Sequence, residues 1–143
     1  KHGERVVSLI APDIIAGGER SWRVTAHYAA RMREWSQGRR IFLPVQEGQN
    51  LELVVRYAQE SDCDLFVGGA THEFKCSTSE ALRALWPGAY IHVGRIAADG
   101  DLYWHSSRAD SFDNTSFVRA QNYNKRQPYE LQLGRYCERN DNP

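Results

Sequence analysis

The chain lacks an apolar run long enough to cross a bilayer, and it lacks the charged, apolar and small-residue succession of a signal peptide at its start. It also has no excess of either charge, since 18 Lys and Arg residues balance 18 Asp and Glu residues. A balanced chain has no overall field that attracts nucleic acid or an anionic membrane surface. We therefore expect no membrane span, and nucleic acid is disfavoured as a partner.

Cysteine is scarce as well. Cys63, Cys76 and Cys137 are too few for a disulfide framework and lack the paired short spacing of structural zinc sites. One disulfide with one free thiol and a fully reduced set both remain open. Residues 114–116 form an acceptor sequence for N-glycosylation at Asn114. The compartment stays unknown, with an extracellular or surface-exposed location slightly favoured.

The chain does contain enough apolar material for one core. Its 143 residues are 41% hydrophobic and 25% charged, which fits a single globular domain over residues 1–143 without an evident linker. The first residue is Lys1 rather than Met. We expect a domain that is processed or excised from a larger protein.

Strand-like patterns predominate along the chain. Short apolar or alternating runs predict strands at residues 6–10, 41–45, 51–57, 63–67 and 129–133. Pro44 places the second of these at a sheet edge or at the end of a strand. Residues 19–36 are ambiguous: Trp22, Val24 and Ala26 begin an alternation that favours a long strand, although residue propensities also allow a helix.

One helix is predicted, and it is short. Ser77 and Glu80 form a capping box at its start. Leu82, Leu85 and Trp86 form its apolar side, and the Pro-Gly pair at residues 87–88 ends it.

Residues 89–107 predict a β-hairpin, because Gly100 after Asp99 supplies the positive φ of a tight turn. Side chains alternate between the two faces of such a hairpin. The apolar face carries Ile91, Val93, Ala97, Leu102 and Trp104, with Arg95 as its one charged member. The other face, which is the candidate recognition face, carries Tyr90, His92, Tyr103, His105 and Ser107.

Together these patterns predict a mainly β domain, with an α+β arrangement as the alternative. We expect a two-layer antiparallel β-sandwich, or a bent sheet, with one short helix packed on it. Residues 108–127 show no clear period, and loops of that length often carry function.

Part of the chain resembles a known family. The relevant stretches are residues 42–45 (Phe-Leu-Pro-Val), residues 62–67 (Asp-Cys-Asp-Leu-Phe-Val) and residues 87–90 (Pro-Gly-Ala-Tyr), with Gly100 before Tyr103. Their order resembles the bacterial pre-peptidase C-terminal domain. That resemblance implies a β-sandwich that aids binding to a substrate or surface and is not itself catalytic. It covers under half of the chain, and the predicted helix and both flanking segments depart from it.

The leading functional hypothesis is a non-catalytic recognition or attachment module. Aromatic rings combined with polar side chains suit the recognition of a carbohydrate or a protein surface. The expected partner is such a surface, within a larger parent protein or assembly. The candidate ligand-binding residues, which lie on the hairpin face and in the 108–123 loop, are Tyr90, His92, Tyr103, His105, Arg108 and Tyr123.

The alternative hypothesis is a small Ser-His-Asp hydrolase, an esterase or a protease. His105 is the candidate general base and Ser107 the nucleophile, because the two share a face of the hairpin. Asp110 or Asp113 is the candidate group that orients the imidazole. The chain has no Gly-x-Ser-x-Gly elbow to support this hypothesis.

No metal centre or cofactor is predicted, with calcium left as an open exception. His92 and His105 lack an evident third ligand for zinc. The carboxylate pairs of residues 62 and 64 and of residues 99 and 101 offer calcium-type oxygens, but a site needs six or more. Basic and aromatic residues after residue 116 suit a single-stranded nucleic acid, yet the zero net charge favours a solvated face.

Overall fold

The computed structural model describes residues 8–15, 17–96 and 108–113. Helices and strands alternate from the first strand to the fourth, and a fifth strand follows. In chain order they are β1 (Ser8–Ile10), α1 (Gly18–Trp35), β2 (Arg40–Val45), α2 (Leu51–Glu60), β3 (Asp64–Val67), α3 (His72–Leu85), β4 (Ile91–Val93) and β5 (Ser111–Phe112).

The five strands form one sheet in the order β1-β2-β3-β4-β5, and every neighbouring pair is parallel. Parallel neighbours need a crossover connection, and the helices α1, α2 and α3 supply it between β1 and β4. The sheet curls into a half-barrel. This α/β architecture places the carboxyl ends of all five strands along one edge.

The core lies between the sheet and the helices. Alternate residues of the strands are fully buried there: Ile41, Leu43, Val45, Leu65, Val67, Ile91 and Val93. Ala29 and Met32 of α1, Val54 and Ala58 of α2 and Leu82 of α3 pack in the same cluster. The other parity of the strands carries a row of rings, in which Phe42 contacts Tyr90 and His92, and His92 stacks on Phe66.

The predicted mainly β fold, an antiparallel β-sandwich or bent sheet with one short helix, is wrong. The described residues form a parallel sheet with three helices, so the sandwich that the family resemblance implies is not the fold found. Two segments predicted as strands, residues 19–36 and 51–57, are helical in α1 and α2. Pro44 lies near the end of β2 as predicted, but β2 is an interior strand.

Helix α1 is the less favoured of the two alternatives for residues 19–36, because polar residues occupy the buried stripe of this helix. Ser21, Thr25, Ala29 and Met32 are its buried residues, at the spacing of three to four that a helix face requires. The Ser21 hydroxyl accepts a hydrogen bond from the Ile14 amide at 2.8 Å. The Thr25 hydroxyl donates to the Pro12 carbonyl at 2.9 Å, so both buried hydroxyls are satisfied.

The starts of α2 and α3 are set by side-chain caps. Asn50 accepts hydrogen bonds from the amides of Glu52 and Leu53. Thr71 accepts from the Phe74 amide, so α3 begins five residues before the predicted capping box. Ser77 lies inside α3, where its hydroxyl donates to the Glu73 carbonyl at 2.9 Å.

The first strand of the predicted hairpin is not paired as predicted. Ile91 and Val93 are buried as predicted, but their strand β4 pairs in parallel with β3 and β5. The turn at residues 99–100, the second hairpin strand and the strand at residues 129–133 lie outside the described residues. Among the described helices, none has the length and apolar character that a bilayer crossing requires.

An ion pair and a ring close the amino-terminal end of the sheet. Arg40 contacts the Asp64 carboxylate at 2.7 Å, and its guanidinium lies 3.8 Å from the centroid of the Tyr90 ring. Burial raises the pKa of the Asp64 carboxyl, and the Arg40 guanidinium opposes that rise.

We expect Arg40→Met to lower the free energy of unfolding by about 1–2 kcal/mol at pH 7, because it removes a cation–π contact and leaves Asp64 without this cation. The pKa of the Asp64 carboxyl is higher in the folded chain than in the unfolded chain. This carboxyl therefore stabilises the fold most at pH values below its unfolded pKa, and that stabilisation is lost as pH rises through the folded pKa. Near pH 3 the carboxyl is largely neutral, so the loss in Arg40→Met should shrink. Urea unfolding at both pH values measures the two losses.

Arg23→Met is the control, because it breaks the exposed pair with Glu19. It should change the free energy of unfolding by less than about 0.5 kcal/mol. An equal loss in Arg23→Met and Arg40→Met would contradict the stabilising role of Arg40.

Candidate functional site

Polar residues follow the carboxyl ends of the strands and meet at one cavity. Asp13 follows β1, Gln46 follows β2, Gly94 and Arg95 follow β4, and Asp113 follows β5. The cavity has a volume of about 270 Å³, equivalent to about nine water molecules. The described residues that line it are Asp13, Ile15, Gln46, Phe66, Gly68, Gly69, Ala70, Gly94, Arg95 and Asp113.

Asp13 and Gln46 form a fixed polar pair on one side of the cavity. The Gln46 Nε2 donates a hydrogen bond to the Asp13 Oδ2. Gln46 is 6% exposed, and its backbone amide donates to the Gln49 Oε1 at 3.0 Å. Gln46 is therefore fixed by its burial and by its backbone, and its side-chain amide holds the Asp13 carboxylate in turn.

Asp113 is held through both carboxylate oxygens. The Arg95 backbone amide donates to its Oδ1 at 2.9 Å, and the His92 Nε2 lies 3.3 Å from its Oδ2. Backbone hydrogen bonds join Asp113 to Val93 and Ile96. The side chain is still 46% exposed, so a fixed carboxylate faces an accessible cavity.

His92 connects this carboxylate to the ring row of the sheet. Its imidazole stacks on Phe66 with centroids 5.1 Å apart, and its Nδ1 lies 2.8 Å from the Ser111 Oγ. The resulting Ser111–His92–Asp113 series has the chemical composition of a hydrolase triad, but the described lining of the cavity includes neither His92 nor Ser111. We interpret the series as a support that fixes Asp113.

Glycine at position 94 brings backbone close to an aromatic wall. A Cβ atom there would lie 2.4 Å from the Phe66 Cζ, which is well inside van der Waals contact. The Phe66 ring and the Gly94 backbone therefore pack directly and form an apolar side of the cavity.

The sequence-predicted site residues are separated in space. Asp113 lines the cavity, and His92 contacts the Asp113 carboxylate from outside the described lining. Tyr90 lies under Arg40 at the amino-terminal end of the sheet. Arg108 is exposed, with its Nε 3.5 Å from the Glu80 carboxylate. Asp110 accepts hydrogen bonds from the Ile91 amide and from Arg83, so it ties β4 to α3.

The other predicted site residues lie outside the described residues, namely Tyr103, His105, Ser107, Asn114 and Tyr123. Residues 99 and 101 of the second candidate calcium cluster lie outside them too. In the first cluster, Asp64 pairs with Arg40 at 2.7 Å.

Asp13, Gln46, Gly68 and Gly69 were not among the site residues predicted from the sequence. Each of these residues follows a short apolar run, and this position is the sequence feature that could have indicated them. It indicates a shared site only when the strands are known to be parallel, because the carboxyl ends of parallel strands meet at one edge of the sheet.

The described residues include two cysteines, Cys63 and Cys76, and no disulfide joins them to each other. Cys63 is buried, and burial raises the pKa of its thiol, an effect that Arg33 partly opposes. The Cys76 Sγ lies 3.2 Å from the His72 Nε2 on α3, and Cys137 is outside the described residues. Within residues 8–15, 17–96 and 108–113, no group of three His, Cys, Asp or Glu side chains is arranged to hold a metal ion.

A scan against protein-family models and searches of curated proteins and of solved structures found no match to this chain. The resemblance to the pre-peptidase C-terminal domain therefore stays a prediction.

Proposed function

We propose that the protein is an enzyme that binds a small polar molecule at the carboxyl edge of its parallel sheet and acts on it with the carboxylates of Asp13 and Asp113. The observation that carries this proposal is the convergence of Asp13, Gln46 and Asp113, from three separate strand ends, on one cavity. In parallel α/β sheets and barrels, this edge is where ligands bind and catalysis occurs.

The lining supports a ligand that is flat or ring-shaped and rich in hydrogen-bond donors. Phe66, Ile15 and the glycine backbones offer apolar surface, whereas the carboxylates of Asp13 and Asp113 accept hydrogen bonds. A few polar groups placed on a largely apolar wall are typical of small-molecule sites. Sugars and nucleosides combine a ring with several N–H or O–H donors, and they fit this description.

Two carboxylates beside one cavity suit chemistry in which positive charge develops on the substrate. Cleavage or transfer at a glycosidic bond is the best-known reaction of this kind, because a sugar carbon gains cationic character as its leaving group departs. We assign Asp113, which fixed donors hold in place, to the stabilisation of that charge. The Asp13–Gln46 pair is assigned to binding the part of the substrate that leaves. The glycosidic bond to that part breaks, and water or another hydroxyl forms the new bond to the sugar carbon.

The sequence-based hypotheses remain predictions beside this proposal. Attachment to a carbohydrate or protein surface depends on Tyr103, His105 and Tyr123, which lie outside the described residues. The hydrolase alternative depends on His105 and Ser107, which also lie there. Neither hypothesis accounts for the polar groups gathered at the carboxyl edge.

Calorimetric titration with a panel of monosaccharides, ribonucleosides and free nucleobases tests the proposal. We expect one of these classes to bind the wild-type chain, and Asp13→Asn and Asp113→Asn each to weaken that binding at least tenfold. Each substitution removes a charge-assisted acceptor while keeping the size of the side chain. With a glycosylated member of that class as substrate, Asp113→Asn should slow cleavage, followed by chromatography, by about 10²-fold or more.

Asp64→Asn is the matched control. It makes the same chemical change on the same sheet, but at the amino-terminal edge. It should leave binding within about twofold of wild type. Failure of every class to bind, or equal weakening in all three variants, would overturn the proposal.

A further inference from the structure

Lys75 is a buried cation that the proposed chemistry does not use directly. It lies on α3 and is 6% exposed. A buried ammonium group is costly unless its donors are hydrogen-bonded. Its Nζ donates a hydrogen bond to the Arg95 carbonyl at 2.8 Å, in the loop that follows β4.

Arg95 has an unusual backbone conformation at this point. Its φ is +55°, in the left-handed region that residues other than glycine seldom adopt. Such conformations persist where surrounding contacts hold them, and they often occur at functional sites. Here the carbonyl of Arg95 accepts from Lys75 while its amide donates to the Asp113 Oδ1 at 2.9 Å.

Arg95 thus links the buried ammonium group of Lys75 to the exposed carboxylate of Asp113. We propose that Lys75 is a positioning residue for Asp113, acting through the left-handed backbone of Arg95. This inference rests on the proposed function, because it gives Lys75 a role in presenting Asp113 to the substrate. Lys75 holds the Arg95 carbonyl and so fixes the backbone conformation of this residue, in which its amide points at the Asp113 carboxylate. The carboxylate is then aimed at the cavity before any ligand arrives.

The linkage can be measured without a ligand. In assigned amide spectra of the full chain, hydrogen exchange at the Arg95 amide should be at least tenfold faster in Lys75→Met than in wild type. Asp113→Asn, which weakens the acceptor, should also raise exchange at Arg95. Lys75→Arg, which keeps charge and donors, should restore slow exchange. Unchanged exchange in Lys75→Met would overturn the inference.

Ser79→Ala is the control for a general effect of changing α3. Ser79 is fully buried on the same helix, and its hydroxyl has no hydrogen-bond partner among the described residues. It should leave exchange at Arg95 unchanged, and an equal acceleration would show that any disturbance of α3 suffices. If Lys75→Met does not fold, Lys75→Gln removes the charge but keeps an N–H donor, and intermediate exchange is expected.

A double-variant test separates positioning from loss of structure. Using the sugar or nucleoside that the wild type binds, Lys75→Met should weaken binding at least fivefold. Adding it to Asp113→Asn should cause no more than a twofold further loss, whereas adding it to Asp13→Asn should multiply the two losses. Multiplied losses in both pairs would indicate a merely structural role. If no panel member binds, the proposed function fails and the role of Lys75 in it fails too, while the exchange result still decides the linkage.

Discussion

Replacing Leu65 by alanine is expected to lower the free energy of unfolding by about 2–5 kcal/mol. Leu65 is fully buried in β3 and lies in register with Leu43 on one side and Ile91 on the other. Removing its side chain leaves a cavity between the sheet and the helices, in a region where neighbours on both strands are fixed by backbone hydrogen bonds. Such a site collapses poorly, so the cost should fall in the upper half of that range.

Urea unfolding followed by circular dichroism measures this loss. Leu53→Ala is the matched control, because Leu53 lies on α2 with 41% of its surface exposed. It should cost less than about 1 kcal/mol, since little apolar area leaves the core. A cost under about 1 kcal/mol for Leu65→Ala would contradict the parallel sheet and its register.

Replacing Gly69 by alanine is expected to cost about 2–5 kcal/mol and to abolish binding at the cavity. Gly69 has a φ of +89°, and an added Cβ would lie 2.3 Å from the Phe74 ring. The left-handed backbone costs an L-residue about 1–2 kcal/mol, and overpacking adds about 1–3 kcal/mol. The loop that lines the cavity after β3 must move to relieve the clash.

Gly38→Ala separates these two costs. Gly38 also has a positive φ, of +76°, but a Cβ there would meet no atom within 4 Å. It should therefore lose only about 1–2 kcal/mol, with binding intact. Phe74→Leu, combined with Gly69→Ala, should recover part of the larger loss. Equal losses for the two glycine variants would contradict the packing of Phe74 against this loop.

The strands could be predicted from sequence more readily than their arrangement. β1, β2 and β3 coincide with the apolar runs near residues 8, 41 and 65, because short apolar runs bounded by polar residues indicate strands. Their parallel pairing was hidden, since it depends on the helices between them. Two of those helices, α1 and α2, were mistaken for strands. In α1, the hydroxyl-bearing Ser21 and Thr25 occupy the buried stripe, and apolar side chains such as Tyr28 are exposed.

The site was predicted only in part, for the same reason. Asp113 and His92 were both predicted from the sequence as candidate site residues. In the structure, the His92 Nε2 lies 3.3 Å from the Asp113 carboxylate. Asp13 and Gln46 are 33 positions apart in the chain, and nothing local marks them as partners. Their meeting follows from the parallel strand order, which an antiparallel prediction cannot produce.

The most direct test of the central claim is a map of amide chemical shifts in the full chain during titration with the monosaccharide, ribonucleoside and nucleobase panel. The account predicts that the largest shifts fall on residues that follow the strands at the carboxyl edge, namely Asp13, Gln46, Gly68, Gly69, Gly94, Arg95 and Asp113. Shifts confined to the opposite edge, around Arg40, Asp64 and Tyr90, or no shifts with any class, would contradict it.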